Sequence, residues 1–379
     1  MSQKSIAIIN KEILKWAREQ CGFTYQEAVG SYFRPEKLER AERGDEYLTF
    51  NQLLILANKY GRNPAFFYLE YIPKEELIDD FRTTSSQKVK FSPMLRKAII
   101  SIKEKRKIAV EFRTYDKDYE YTYINSINLE NKIIIVAQEI LNLLRINLKE
   151  RDSWKNKYSA LKGWIRAIET KGIFIFQLSK INTTEMRAFS ISETPFPVIA
   201  LNRGDSPLGR IFSLIHEFCH IMLKKGGVCT YNHQDEEHFK IEKFCNAVAG
   251  EVLVPTSSLL KQKIVVMHET KEEWSERELN NLSKVFWVSN EVILRRLLTL
   301  NLTSKSFYQE MRREWIRRDL ERGGFGEKGH LKVLRTNSPN FIKIILNAMH
   351  DNKILMSDVS FYLDMSLKYF NDLENNFKI

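Results

Sequence analysis

The stretch His216-Glu217-Phe218-Cys219-His220 has the pattern H-E-x-x-H and decides how this chain is interpreted. On an α-helix, side chains four residues apart leave the same face, so both imidazoles can reach one metal ion. Neutral imidazole is a preferred ligand of Zn²⁺, and a glutamate beside the open coordination position can move protons during hydrolysis. The simpler interpretation is a buried helix whose two histidines are satisfied by other polar groups.

The residues around the motif favour a largely buried helix. Ser206-Pro207 is typical of an N-cap followed by proline at the first helical position. Lys224-Lys225 falls in the predicted last turn, and Gly226-Gly227 is predicted to end the helix. Because unpaired buried polar groups are costly, the two histidines and the glutamate need partners, and a metal ion would satisfy all three.

A catalytic zinc site needs a third protein ligand, for which Glu242 is the best candidate. It begins a second helical pattern over residues 242–255, in which small residues allow close approach of another helix and Pro255 fixes the end. The simpler interpretation is that Glu242 is solvated, as most glutamates are. Three other glutamates are rivals for the position: Glu236, Glu237 and Glu251.

Several ordered pieces of the sequence extend this pattern well beyond one motif. They are Gly172-Ile173-Phe174-Ile175-Phe176-Gln177, Glu185-Met186-Arg187-Ala188-Phe189-Ser190-Ile191, Ile199-Ala200-Leu201-Asn202, the H-E-x-x-H motif and Glu242-x-x-Cys245-Asn246-x-x-Ala249-Gly250-Glu251-x-Leu253-Val254-Pro255. In this set the chain resembles the ImmA/IrrE family of zinc metallopeptidases. The resemblance implies three zinc ligands, which are His216, His220 and Glu242, and a general base, which is Glu217. One departure is Ala188, where the family often has glycine.

Two short apolar runs, at residues 174–176 and 196–201, predict strands ahead of the motif helix. In zinc peptidases of this general shape, an edge strand holds the peptide substrate in an extended form through main-chain hydrogen bonds. The alternative is that the strands only complete the small sheet of the core. Both interpretations can hold for different strands.

The first seventy residues predict a compact helix-turn-helix unit. Thr24 and Glu27 form a capping-box pattern, and a helix that begins at Pro35 is stopped by Gly44. The region resembles the XRE (repressor/Cro-like) domain in the pieces Leu14-x-Trp16-Ala17-Arg18-Glu19, Glu27-Ala28, Pro35-Glu36-Lys37-Leu38-Glu39, Glu42-Arg43-Gly44, Gln52-Leu53, Leu56-Ala57 and Pro64-Ala65-Phe66-Phe67.

This second resemblance implies DNA binding through the helix that begins at Pro35. The candidate DNA contacts are basic: Arg34, Lys37, Arg40 and Arg43. The same helix also carries acids that would repel phosphates: Glu36, Glu39 and Glu42. Two interpretations therefore stay open, true DNA binding and a degenerate module that docks a helix-turn-helix partner protein.

Composition sets wider limits on the function. The chain has 59 Lys and Arg against 48 Asp and Glu, a net charge of +11 that suits a nucleic-acid or acidic-protein partner but is spread along the sequence. No apolar run is long enough to span a membrane, and no signal peptide is recognised at the N-terminus, so a cytoplasmic location is expected.

Disulfides are rare in cytoplasmic proteins, so the cysteines near the motif do not predict a disulfide framework. Cys219 and Cys245 are expected to pack as small apolar side chains, whereas Cys229 lies in a predicted loop, where a redox role is the alternative. Candidates to steady the oxyanion come from the segment between the two predicted helices: Tyr231, His233 and His238.

The expected fold class is mostly α with a small mixed β-sheet (α+β). The expected domains are a helix-turn-helix domain at 1–72, a helical linker or scaffold at 73–163, a zincin-like peptidase core at 164–300 and a C-terminal helical domain at 301–379. The resemblances imply a zinc-dependent endopeptidase that cleaves a transcriptional repressor or antitoxin of a mobile or phage-defence element, with DNA as a second partner. The alternatives are a DNA-binding regulator with a structural or sensory metal site, and a toxin–antitoxin component that acts through protein contacts.

Overall fold

The computed structural model describes residues 5–73, 91–113, 119–226, 236–268, 272–319 and 329–377. The chain forms two compact units, of which unit 1 comprises Met1–Asp116 and Lys328–Ile379, and unit 2 comprises Lys117–Glu327. The predicted segment 73–163 thus contributes to both units. Within the described ranges, no helix combines the length and apolar character needed to cross a membrane.

The predicted fold class is confirmed, because the described chain is mostly helical with a small mixed sheet. The helices are α1 (Lys11–Cys21), α2 (Tyr25–Val29), α3 (Pro35–Arg43), α4 (Phe50–Tyr60), α5 (Pro93–Glu111), α6 (Ile133–Leu144), α7 (Leu148–Asp152), α8 (Lys157–Glu169), α9 (Pro207–Met222), α10 (Glu236–Leu253), α11 (Thr256–Leu259), α12 (Lys263–Val266), α13 (Glu276–Phe286), α14 (Asn290–Thr299), α15 (Lys305–Asp319), α16 (Gly329–Thr336), α17 (Pro339–His350), α18 (Met356–Leu363) and α19 (Phe370–Phe377). The strands are β1 (Ile6–Ala7), β2 (Leu48–Thr49), β3 (Phe174–Leu178), β4 (Ala188–Ile191) and β5 (Val198–Asn202).

In unit 1, helices α1 to α4 surround a small apolar core, and β1 pairs antiparallel with β2. The expected capping box of Thr24 and Glu27 begins α2. The core also contains a bidentate ion pair, in which the buried Arg18 guanidinium donates to both oxygens of Glu42 at 2.8 and 2.9 Å. This pair ties α1 to α3, so Glu42 has a structural partner and is not part of the exposed charge of α3.

In unit 2, three strands form the mixed sheet in the order β3-β5-β4. The central strand β5 runs parallel to β3 and antiparallel to β4, and each of its residues is buried. Helix α9 packs on β4 and β5, and α8 and α10 pack on α9. The sheet therefore supports the helix that carries the H-E-x-x-H motif, and β4 is the edge strand nearest to that helix.

The end of α10 is held by two buried arginines from other helices. Arg151 on α7 donates to the carbonyl oxygens of Leu253 and Val252, both at 2.7 Å, and Arg296 on α14 donates to that of Val254 at 3.1 Å. The last carbonyls of a helix have no intrahelical donor, so these contacts satisfy groups that burial would otherwise leave unpaired. They fix the axis of α10 beside α9.

We expect that Arg151→Met lowers the free energy of unfolding of the protein by about 2–4 kcal/mol, because two buried carbonyls lose their donors. The matched control is Lys149→Met on the same short helix, where the side chain is exposed, and it should change stability by less than about 0.5 kcal/mol. Urea unfolding followed by circular dichroism measures both. Equal midpoints for the two variants would contradict this role of Arg151.

Candidate metal centre

Helix α9 presents both motif histidines on one buried face. Its start follows the predicted local chemistry, since the Ser206 hydroxyl accepts from the Gly209 amide at 3.0 Å and Pro207 occupies the first helical position. His216 and His220 are 6% and 3% exposed, and their Nε2 atoms lie 3.0 Å apart. The i, i+4 spacing therefore converges the two imidazoles, as the sequence predicts.

Helix α10 brings Glu242 to the same point. Its carboxylate oxygens lie 3.3 Å from His216 Nε2 and 3.1 Å from His220 Nε2. The side chain keeps 24% of its surface exposed, so the cluster is open to solvent on the α10 side. Among the described residues, these three side chains form the group of His, Cys, Asp or Glu that can hold a metal ion.

The rival glutamates have other partners. Glu251 is buried in a network with Arg296 and with the Thr256 amide and hydroxyl. Glu236 pairs with Lys240 at 3.1 Å, and Glu237 lies 3.5 Å from the Lys225 ammonium. Of the four glutamates, Glu242 is thus the one that lies beside both histidines.

The donor set fits a tetrahedral divalent cation. Bonds of about 2.0–2.1 Å from a metal to nitrogen or oxygen give ligand–ligand distances of about 3.4 Å at the tetrahedral angle. The distance of 3.0 Å between the two Nε2 atoms is close to that value, and each imidazole lies 3.1–3.3 Å from one of the two Glu242 oxygens. Two imidazoles and one carboxylate are also a ligand set of catalytic zinc sites, which leave a further position open.

Two electrostatic features prepare the cluster for a cation. Burial alone would raise the pKa of the Glu242 carboxyl, but hydrogen bonds and charge from His216 and His220 hold that pKa well below its usual range. The carboxylate is therefore ionised. His220 Nδ1 lies 3.2 Å from the carbonyl oxygen of Lys225, which can only accept, so Nδ1 carries a proton and Nε2 is the ring nitrogen that would bind a metal ion after losing its own proton.

Glu217 lies next to the cluster in sequence and is 1% exposed. The hydroxyl of Ser190 on β4 donates to Glu217 Oε2 at 2.7 Å. The role of Ser190 does not follow from the sequence patterns, and the available signal is that it is the one polar residue of the otherwise apolar strand Ala188–Ile191. This hydrogen bond restricts rotation of the carboxylate and holds it between β4 and α9.

The remaining predicted residues are distributed as follows. Cys219 and Cys245 are buried in the apolar core of unit 2, consistent with packing. His238 Nε2 lies 3.7 Å from Glu242 Oε1, at the border of the cluster. Three candidates lie outside the described residues: Cys229, Tyr231 and His233.

The basic side chains of α3 lie apart in sequence from this centre, in unit 1, and most have acidic partners. Lys37 and Arg40 lie 3.2 and 2.9 Å from the carboxylate of Glu46. Arg43 pairs with Glu39 one turn earlier on the same helix. Arg34 is the N-cap residue of α3 and makes no side-chain capping hydrogen bond.

We expect Glu242→Ala to weaken zinc binding at least about a hundredfold, since it removes one of three ligands. Glu236→Ala, an exposed position six residues earlier on the same helix, is the matched control and should bind zinc like the wild type. Competition with a chromophoric chelator measures both affinities. Similar affinities of the two variants would show that Glu242 is not a ligand.

Comparison with known families adds an independent observation. Residues 168–298 match the family model Peptidase_M78, described as the IrrE N-terminal-like domain. A search of curated proteins gave no match to the chain. The matched range includes α9, α10 and the whole candidate metal centre, and it does not extend to α1–α4, so the helix-turn-helix assignment stays a prediction. Unit 2 thus carries an IrrE N-terminal-like domain, from a family that indicates metallopeptidase activity.

Proposed function

We propose that the protein is a zinc-dependent endopeptidase. The observation that carries this proposal is the convergence of His216, His220 and Glu242 beside Glu217, inside the segment that matches Peptidase_M78. Zinc is proposed because two imidazoles and one carboxylate, with spacing close to a tetrahedral edge, are a donor set that this ion accepts.

The residues of the chain take the following roles. A bound zinc ion supplies Lewis-acid chemistry, which polarises a peptide carbonyl and makes water a better nucleophile. Glu217 accepts a proton from the attacking water and returns it to the nitrogen of the leaving amine. Ser190 keeps the Glu217 carboxylate in position through its hydrogen bond. Burial of Glu217 keeps bulk water from competing for this carboxylate.

The substrate is proposed to be an extended peptide that pairs with β4. This strand lies at the edge of the sheet, contacts α9 and carries Ser190 beside Glu217. A peptide added to its outer edge would run past the Glu217 carboxylate, with main-chain hydrogen bonds that set the register. Strand β5 is central and cannot serve in this way.

The proposed physiological substrate is a transcriptional repressor or antitoxin with its own helix-turn-helix, and helices α1–α4 are proposed to recruit it. Protein recruitment is favoured over DNA binding because Lys37, Arg40 and Arg43 are already neutralised by acids of unit 1. A phosphate would have to compete with these carboxylates, which weakens electrostatic attraction to DNA.

We expect Glu217→Gln to keep its zinc and to lose hydrolysis of an unfolded protein such as casein by about 10²–10⁴-fold, since the amide cannot accept the proton. Zinc content by elemental analysis and peptide release by mass spectrometry measure the two properties. The matched control is Glu236→Gln at an exposed position of α10, which should keep both.

Two results would contradict the peptidase proposal. One is casein hydrolysis by Glu217→Gln at the wild-type rate, which would point to a contaminating protease. The other is a zinc-loaded wild-type protein that cleaves neither casein nor any repressor retained by Glu217→Gln. In that case the metal site is structural or sensory.

A separate prediction concerns α3. We expect wild-type protein to bind duplex DNA weakly, and Glu46→Gln to bind it about three- to tenfold more tightly at low salt, because Lys37 and Arg40 lose their shared acid. Asp45→Asn makes the same change of net charge at an exposed neighbour and should have a smaller effect. Fluorescence anisotropy measures the affinities. Tight, sequence-specific binding by the wild type would contradict recruitment through protein contacts.

A further inference from the structure

Helix α9 does not end where the sequence predicts. The glycine pair 226–227 was expected to stop it, but α9 ends at Met222 and Lys224 takes the left-handed conformation at φ 54°. Lys225 N donates to His220 O at 3.0 Å and Lys224 N donates to Ile221 O at 2.9 Å, the two hydrogen bonds of a Schellman motif. Because the left-handed Lys224 already turns the chain out of the helix, Gly226 is not needed to end α9.

Gly226 instead makes a close approach to β4. A Cβ atom placed on Gly226 would overlap the Ser192 hydroxyl and would lie 3.0 Å from both the Ser190 carbonyl oxygen and the Ser192 amide nitrogen. The φ angle of Gly226 is not in the positive range that favours glycine, so the backbone conformation does not require glycine here. What this position requires is the absence of a side chain. The chain passes directly against main-chain atoms of β4.

These main-chain atoms belong to the outer edge of the sheet. Asn202 N donates to Arg187 O at 2.8 Å, so residue 187 faces β5. Along an antiparallel strand the direction of the main-chain groups alternates, and Ser190 and Ser192 therefore direct their N–H and C=O groups away from β5. Ser190 and Ser192 are nevertheless only 3% and 9% exposed.

The same position is where a substrate would have to lie. An added strand runs about 4.8 Å from its neighbour, and the backbone of Gly226 occupies that space beside Ser190, whose hydroxyl holds Glu217. The contact has a cost, because the buried Ser192 hydroxyl has no hydrogen-bond partner among the described residues. A peptide paired with this edge could supply one.

We infer that Gly226 forms an autoinhibitory contact, which covers the outer edge of the sheet at Ser190 of β4 and at Ser192 just after it, and which must move before an extended peptide can pair there. This inference rests on the proposed function for its substrate. The contact is linked to the metal centre through the hydrogen bond from His220 Nδ1 to Lys225 O. Lys225 thus supports a candidate ligand, and the adjacent Gly226 obstructs the substrate strand.

Hydrogen–deuterium exchange of the zinc-loaded full chain tests the contact without any need for hydrolysis. In Gly226→Ala the new methyl group displaces the segment, and the outward-facing amides of Ser190 and Ser192 should exchange about tenfold faster than in the wild type. Gly163→Ala is the matched control, because its Cβ would also clash, in this case with Trp154, away from β4. It should leave exchange at residues 188–192 unchanged.

A second variant keeps the test independent of general destabilisation. Adding Ser192→Gly to Gly226→Ala removes the hydroxyl that the methyl group would overlap, and it should return exchange toward the wild-type rate. Unchanged exchange in Gly226→Ala, or equal acceleration in Gly163→Ala, would overturn the inference.

Casein then tests inhibition. Gly226→Ala should cleave casein several-fold faster than the wild type, and an equal or lower rate in a variant with faster exchange would overturn the inference.

Failure of the proposed function has a different signature. If the zinc-loaded wild type and Gly226→Ala both leave casein intact, hydrolysis of this substrate is excluded. Hydrogen–deuterium exchange of Gly226→Ala in the presence of excess casein then shows whether a peptide still binds to the edge. If casein slows exchange at residues 188–192 again, a peptide and Gly226 compete for the same edge. If exchange stays fast, the inference is overturned.

Discussion

The packing of α10 on α9 is the constraint on which the rest of unit 2 depends. It places one carboxylate against two imidazoles, with 3.0–3.3 Å between the contacting nitrogen and oxygen atoms. Burial of polar groups is unfavourable unless each has a hydrogen-bond partner or binds a cation, and one divalent cation can bind all three side chains. The central claim of our account is that these residues form a metal site.

Other parts of unit 2 maintain this arrangement from outside the cluster. Arg151 and Arg296 hold the end of α10, while strands β4 and β5 pack against α9. In the proposed peptidase, strand β4 has two roles, since Ser190 positions Glu217 and the outer edge of the strand directs main-chain groups toward a peptide. The proposed catalytic and substrate-binding functions therefore meet within a few residues of one short strand.

Local sequence patterns predicted much of this structure, because helix caps and helical spacing depend on neighbouring residues. The N-cap at Ser206, the capping box at Thr24 and the convergence of His216 and His220 all follow from such patterns. Tertiary contacts were not predictable in this way. Sequence spacing does not show that Glu251 pairs with Arg296. Because of that pairing, Glu242 is the third side chain of the cluster with the two histidines. The role of Gly226 was misread for the same reason, since its requirement comes from a distant strand.

The most direct test of the central claim is anomalous X-ray scattering at the zinc edge from crystals of the zinc-loaded protein. Our account predicts one strong peak per chain within about 2.0–2.2 Å of the Nε2 atoms of His216 and His220 and of a Glu242 carboxylate oxygen. A peak held by other side chains, or no peak in crystals whose soaking solution contains excess zinc, would contradict it.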